Sequence, residues 1–296
     1  MKDFFYNYLR SMRLYYGFVT GTTTLFGCLA SGRPLADGRT ALLFTMGFLA
    51  WGFNQIFSDW YDRHEDAVNA PHRPMVTGAL RPIPAFAVSL AGLAAIAVTG
   101  FFLSPWTLVF LGVGGVLNIS YSLLKRVPVL NCLVYACAIS CCALFGWAGS
   151  AGTFPSLHIY GQIAPALVPV HFLMCHNSYY KDVAGDRATG VRTLQTLCPP
   201  LAMAVSLGLV LYALAFLCTC AAMSPARLSL LMIVIVLAVL FFAALHKRRM
   251  HLTTSLNCQL CVALLHVQSF YLSWPVCILS LAGINLLFMW YRDEKE

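Results

Sequence analysis

The chain has 296 residues, of which 59% are hydrophobic and only 10% charged, and its mean hydropathy is +0.74. Soluble domains carry about 25% charged residues, so the composition excludes an ordinary soluble fold and specifies a polytopic membrane protein. The net charge of +8 sits mostly in short loops where it meets anionic lipid, and no basic stripe with interleaved aromatics occurs in a soluble stretch, so nucleic-acid binding is not expected.

In chain order, the first thirteen residues mix polar and aromatic side chains. The apolar run after them reads as a membrane span rather than a leader's h-region, so no cleavable signal peptide is expected. Runs of about 20 apolar residues cross a bilayer as helices. Nine are read here: 14–32, 41–58, 84–103, 105–122, 129–149, 160–179, 199–222, 228–246 and 271–291. The runs are continuous rather than alternating, which excludes a β-barrel. The very short connection at 104–105 makes the third and fourth spans a tight hairpin. Segment 252–269 has two readings: an interfacial stretch, or the start of a long last helix kinked at Pro275.

Lysine and arginine set the orientation. Fourteen of the 19 fall on one face: Lys2, Arg10 and Arg13; Arg63, Arg73 and Arg81; Lys125 and Arg126; Lys181, Arg187 and Arg192; Lys247, Arg248 and Arg249. The positive-inside rule puts that face in the cytoplasm. Nine spans then place the N-terminus inside and the C-terminus outside, and a further span near 252–269 moves the C-terminus alone. The 12 cysteines are scattered through the spans and behave as small hydrophobes. Cys258 and Cys261 have metal-type spacing, but no second pair closes a tetrahedral site.

Six of the 11 acidic residues fall in two polar islands within this apolar chain: Ser58-Asp59-Trp60-Tyr61-Asp62-Arg63-His64-Glu65-Asp66 and Lys181-Asp182-Val183-Ala184-Gly185-Asp186-Arg187. Carboxylates at membrane depth or at its edge are costly and mark function. Asp62 and Asp66, four apart, share one helical face, and Asp59 joins it. Asp182 and Asp186 repeat the spacing. Hard oxygens in such pairs suit Mg²⁺, which takes one or two carboxylates plus substrate phosphate oxygens. Arg73 follows the first island and Arg187 and Arg192 the second, so a diphosphate held through metal and capped by guanidinium is the chemistry these residue types support. A solvated loop explains one such island; it does not explain two with the same spacing on the same face.

These motifs resemble those of the UbiA-type intramembrane prenyltransferases, over nearly the whole chain. The family's NDxxDxxxD stands here as Ser58-Asp59-x-x-Asp62-x-x-x-Asp66, followed by His72-Arg73-Pro74 and Thr77-Gly78. Its second motif stands as Asp182-x-x-x-Asp186, followed by Gly190-Val191-Arg192-Thr193. A smaller match is Tyr121-Ser122 with Lys125-Arg126 and Asn131 after Pro128. Ser58 stands where the family has Asn; Asn54, one turn earlier on the same face, is a substitute amide.

The resemblance implies a single domain, residues 1–296, of about nine transmembrane helices around a central cavity opening to the cytoplasmic side. It implies that Asp62, Asp66, Asp182 and Asp186 bind Mg²⁺ ions bridging the diphosphate of an isoprenyl donor, with Asp59 in support. Arg73, Lys125 and Lys181 neutralise the leaving diphosphate, Arg192 lies beside it, and Tyr121, Ser122, Ser58 and Asn54 line the polar end of the cavity. The implied reaction ionises an allylic diphosphate, and an electron-rich acceptor then attacks the cation. Metal and cationic side chains stabilise the leaving group, and aromatic faces stabilise the cation. The expected partners are a prenyl diphosphate, a small lipophilic or aromatic acceptor of quinone type, and membrane lipid. The expected location is a bacterial cytoplasmic membrane with the active site facing the cytoplasm.

Three alternatives stand beside this. A membrane terpene cyclase needs the same ionisation step. A tetrapyrrole acceptor is suggested by the stretch from Asp59 to Arg63 with Asp66-Ala67-Val68-Asn69 and Arg73-Pro74, which is similar to the chlorophyll-synthase branch. An ion-coupled transporter needs acids and arginines inside the spans, and here they sit at one face. Other polar residues carry weaker signals. His171 and His176 in the sixth span read as interhelical hydrogen-bonding groups, and Arg10 and Arg13 as surface anchors. Trp51, Phe53, Phe57 and Trp60 read equally as interface belt or cation wall.

Overall fold

The computed structural model describes residues 2–32, 37–124, 127–220 and 250–291. The described residues form helices and connecting turns, with no strand. They comprise α1 (Lys2–Met12), α2 (Gly17–Ala30), α3 (Gly38–Tyr61), α4 (Arg63–Asn69), α5 (Pro82–Leu103), α6 (Trp106–Leu123), α7 (Leu130–Ala151), α8 (Leu157–Ser178), α9 (Val183–Thr189), α10 (Leu194–Leu197), α11 (Pro199–Cys220), α12 (Met250–Gln268) and α13 (Phe270–Tyr291). Six of these (α3, α5, α6, α7, α8 and α13 from Ser273) are long and apolar enough to cross a membrane. The chain is an integral membrane protein. The expected span 228–246 and Lys125 lie outside the described residues.

The expected first span, 14–32, folds as a 3₁₀ turn (Leu14–Tyr16) and the 14-residue α2, which is buried along almost its whole length. Composition explains this. Small residues let neighbouring backbones approach, the packing mode that replaces hydrophobic driving force in lipid. A Cβ on Gly27 would lie 1.7 Å from the Ala143 carbonyl oxygen of α7, and one on Gly146 would lie 2.1 Å from the Thr24 carbonyl oxygen of α2. The hydroxyls of Thr20, Thr23 and Thr24 turn back to the Gly17, Val19 and Thr20 carbonyls at 3.1, 2.8 and 2.8 Å, so the helix buries hydroxyls with their bonds made. Gly27→Leu or Gly146→Leu is expected to cost more than the roughly 1–3 kcal/mol of ordinary overpacking, read as a lowered unfolding temperature in detergent. Gly208→Ala, where a Cβ meets nothing within 4 Å, is the control and should be neutral or slightly stabilising.

Asp37 caps α3 by accepting from the Thr40 N–H at 2.7 Å. Beside it, Arg39 donates to the Gly149 carbonyl of α7 at 2.6 Å and the Leu103 carbonyl of α5 at 2.7 Å. It satisfies the C-terminal carbonyls of two helices at the end of the bundle away from the acidic islands. In α8, Pro169 has no N–H for the Pro165 carbonyl. The Tyr212 hydroxyl of α11 donates to that carbonyl at 3.0 Å, as lipid requires.

Segment 252–269 is neither interfacial nor a continuation of the last helix. It forms α12, which packs against α2, α8 and α13 with Cys258, Leu260, Cys261, Val262 and Leu265 buried. α12 and α13 make an antiparallel hairpin about Ser269. The Gln259 amide donates to Ser280 Oγ at 3.0 Å and accepts from Cys277 Sγ at 3.1 Å. This turn corrects the expected position of the C-terminus. The Tyr291 hydroxyl at the end of α13 donates to the Leu9 carbonyl at 2.5 Å and accepts from the Leu14 N–H at 3.2 Å. The end of α13 therefore lies at the same end of the bundle as α1, not at the opposite face. Cys258 and Cys261 face the core, and the ten cysteines whose side chains are described are free.

Candidate active site

The carboxylate islands are built on two short helices. α3 ends at Tyr61 and α4 starts at Arg63, so the chain bends at Asp62, whose N–H still returns to the Ser58 carbonyl at 2.8 Å. Asp66 N–H in turn bonds the Asp62 carbonyl at 2.8 Å, which holds the Asp62–Asp66 spacing helical. Asp62 is half-buried and Asp66 buried, whereas Asp59 turns into the bundle and is 2% exposed. Asp59 and Asp66 face the same Arg73 guanidinium.

Asp59 is neutralised by Arg13, which sequence spacing does not connect to it, and held by two further donors. Arg13 Nη2 donates to its Oδ1 at 2.7 Å, Gln55 Nε2 donates at 3.0 Å from one turn earlier, and Arg73 Nη1 lies 3.8 Å away. Arg13 sits between α1 and the 3₁₀ turn in the left-handed region, φ 44°, uncommon for a non-glycine residue. The reading of Arg13 as a surface anchor is thus corrected: it is an internal counter-charge. Arg73 also forms an ion pair with Asp66. The turn that presents Arg73 is compact, with Thr77 N–H on the Arg73 carbonyl at 2.9 Å, Leu80 N–H on the Pro74 carbonyl at 2.9 Å, and Gly78 in the left-handed region at φ 77°.

The second island follows α8. Asp182 is the N-cap residue of α9 and is half-buried, and Asp186 is buried within that helix. Gly190, at φ 73°, ends α9, and the Val191 N–H returns to the Asp186 carbonyl at 2.9 Å, a Schellman closure. Thr193 and Thr196 then form a reciprocal capping box on α10. Lys181 is half-buried, and Arg187 and Arg192 are exposed. The platform beneath is a polar lattice. His176 Nε2 bonds the Ala202 carbonyl at 2.9 Å, Gln195 donates to the His176 carbonyl at 2.6 Å, and Ser206 donates to Asn177 Oδ1 at 2.7 Å. His171 pairs with Thr23 Oγ1 at 3.0 Å. Both histidines are the interhelical groups the sequence suggested.

The two islands meet: α4 packs against α9. Tyr179 links the second island to α6 and α7. Its hydroxyl accepts from Asn131 Nδ2 at 2.7 Å and lies 3.2 Å from the Tyr121 hydroxyl. Ser122, next to Tyr121, and Ser58 are half-buried. Asn54 does not reach the carboxylates: its Oδ1 accepts from Asn118 Nδ2 of α6 at 3.1 Å. Trp60 is 40% exposed and carries the Arg63 guanidinium over its ring at 5.1 Å, whereas Trp51 lies inside, against Tyr16 and Tyr135. Gln55 and Tyr179 went unread in the sequence. Gln55 had a signal, four residues before Asp59; Tyr179 had none.

Below the islands, α2, α3, α5, α6 and α7 line a partly open apolar cavity of about 190 Å³, with residues including Met46, Ile96, Phe110 and Phe145 and no charged side chain. Four carboxylates without thiolate or imidazole form a donor set for a hard cation such as Mg²⁺. They form two pairs rather than one closed cluster: among the described residues, no three His, Cys, Asp or Glu side chains converge on a point. That fits an ion that completes its shell with substrate oxygens and water.

The chain is thus a helical membrane bundle with paired carboxylates at one end, above a partly open apolar cavity. The chain belongs to the UbiA prenyltransferase family, whose profile matches residues 20–261. It is 28% identical over 176 residues to digeranylgeranylglyceryl phosphate synthase of Natronomonas pharaonis, covering 59% of this chain and 62% of that protein. It is 27% identical over 187 residues to the bacteriochlorophyll synthase 33 kDa chain of Rhodobacter capsulatus, covering 60% and 61%. The matched segments thus span under two thirds of these relatives. Among solved structures, the apo UbiA homolog from Aeropyrum pernix K1 shares the fold with a TM-score of 0.71 at 18% identity, covering 85% of this chain and 96% of that one. The Archaeoglobus fulgidus UbiA homolog bound to GPP and Mg²⁺ has a TM-score of 0.60 at 17% identity, covering 96% and 98%.

Proposed function

We propose that this chain transfers an isoprenyl group from an allylic prenyl diphosphate to a lipophilic acceptor, most simply an aromatic ring of quinone type. The observation that carries the reading is the meeting of α4 and α9, which brings the Asp62–Asp66 and Asp182–Asp186 pairs to one end of the bundle over an apolar cavity. Asp62, Asp66, Asp182 and Asp186 are the residues to hold Mg²⁺, which supplies Lewis-acid neutralisation of the diphosphate when bound. The solved Archaeoglobus fulgidus homolog, described with GPP and Mg²⁺, supports this assignment.

The chain's own groups do the rest. Arg73 pairs with Asp66 and lies beside Asp59, which holds both carboxylates in place. Lys181 and Arg192 add positive charge beside the second pair, and Lys125, in the loop after α6, belongs with them. Tyr179, with Tyr121 and Asn131, holds the wall between the islands. Ser58 takes the position of the family asparagine at the edge of the first pair. The apolar cavity takes the prenyl chain and excludes water from an allylic cation.

The same reading places the carboxylate end at the cytoplasmic face of a bacterial cytoplasmic membrane. Arg10, Arg13, Arg63, Arg73, Arg81, Arg187 and Arg192 all belong to segments at that end, which supports it. The described chain supplies nine long helices to this bundle (α2, α3, α5, α6, α7, α8, α11, α12 and α13), a set that contains α12 and not the expected span 228–246, which lies outside the described residues. A tetrapyrrole acceptor is the second reading, favoured by the similarity to the bacteriochlorophyll synthase chain.

The test is mass spectrometry of products from purified protein given Mg²⁺, a set of prenyl diphosphates and a set of acceptors. A mass gain of one prenyl unit on an aromatic acceptor supports the reading. Hydrocarbon formed from diphosphate alone identifies a cyclase instead. Chelation by EDTA should remove turnover and Mg²⁺ should restore it; undiminished turnover in EDTA sinks the metal assignment.

A further inference from the structure

The cavity is apolar except for a few groups, and these are not distributed as helix glue. Thr20 and Thr24 line it, but their hydroxyls are spent on backbone carbonyls within α2. Asn54 of α3 and Asn118 of α6 also line it and join at 3.1 Å. α3 and α6 are not a closely packed helix pair; each packs on α5 and α7. The amide bridge therefore reaches across the cavity rather than between two touching helices. It uses one N–H and one carbonyl, and leaves the rest of both amides to the cavity.

Trp51, one turn before Asn54 on α3 and also in the lining, supplies a second observation. Its indole Nε1 is buried and has no hydrogen-bond partner among the described residues. A buried donor without a partner keeps its desolvation cost uncompensated, and such exceptions call for an explanation. A prenyl tail is a hydrocarbon and offers nothing to an indole N–H or an amide.

We infer that Trp51, Asn54 and Asn118 form a recognition site for a second molecule in this cavity, one carrying a neutral oxygen that accepts hydrogen bonds: a ketone, quinone, ester or ether on an apolar body. A charged group is excluded, because no lining side chain is charged and burying an unpaired ion is prohibitive. The site rests on the transferase reading only in calling that molecule the acceptor. It favours transfer over cyclisation, since a cyclase cavity holds hydrocarbon alone.

Two probes of one shape isolate the oxygen: duroquinone and durene, the same tetramethyl ring with and without carbonyls. Each is titrated against the purified protein in detergent, with the thermal unfolding shift as readout. The wild type should bind duroquinone about tenfold tighter than durene. Trp51→Phe, which removes the N–H and keeps an aromatic ring, should reduce that preference to about threefold or less. Asn54→Leu with Asn118→Leu, which removes both partners at once, should do the same; if the pair fails to fold, Trp51→Phe decides alone. Equal affinity of the wild type for the two probes, or an undiminished preference in Trp51→Phe, overturns the inference. Geranyl diphosphate with Mg²⁺ is titrated in parallel. If it stabilises the protein while the oxygen preference is absent, only this site is lost. If it fails to stabilise, the donor reading falls while the oxygen preference is judged on its own result.

Discussion

Asp62→Ala and Asp182→Ala, made singly, are each expected to lower turnover by about 10²–10³-fold or more, the usual cost of removing a group that stabilises developing charge in a dry site. The two residues are the better targets in their pairs. Asp62 and Asp182 are half-buried at helix starts, whereas Asp66 and Asp186 are buried, so alanine at the first two should leave the fold intact. Retained monodispersity and an unfolding temperature close to wild type, measured in detergent, separate lost chemistry from lost structure. The steady-state rate at saturating Mg²⁺ is the deciding measurement. If either single variant keeps near wild-type turnover, diphosphate activation by two carboxylate pairs is wrong.

Arg13→Ala should act first on stability. It strips the 2.7 Å partner from a carboxylate that is 2% exposed. Breaking a buried pair by removing one member costs about 3–5 kcal/mol. Here about 3 kcal/mol is expected, because Gln55 at 3.0 Å and Arg73 at 3.8 Å stay beside Asp59. Adding Asp59→Asn to Arg13→Ala removes the orphaned charge and should recover most of the lost unfolding temperature. A surface-anchor role for Arg13 predicts no such recovery and little loss in detergent. The double-mutant cycle therefore tests whether the N-terminal helix is tied to the site through this pair.

The Arg13–Asp59 pair also marks where legibility in the sequence stops. Gln55 was readable, since a donor four residues before a carboxylate shares its helical face. Arg13 was not, because 46 residues separate it from Asp59 and no periodicity spans two helices and a turn. The inward partners of Asp59 lie on other segments of the bundle, Arg13 before α2 and Arg73 after α4. The C-terminus failed for a related reason. Segment 252–269 carries Thr254, Asn257 and Gln259, which lowers its hydropathy, yet these are buried polar groups, and Gln259 is bonded to Ser280 and Cys277. A window of hydropathy cannot distinguish a polar residue facing water from one bonded inside a bundle.

The sequence by itself determined the membrane class, the helical architecture, and the two carboxylate islands with their spacing. These follow from composition and from contacts within one or two helical turns. Only the tertiary structure decided that α4 touches α9, that Arg13 neutralises Asp59, that α12 and α13 return the chain to the end where it began, and that Trp51, Asn54 and Asn118 share a cavity. Each of those joins residues far apart in the chain. Such contacts are chosen by which helix faces can approach closely, as at Gly27 and Gly146, and by which buried polar groups find partners, and neither is written in local sequence spacing.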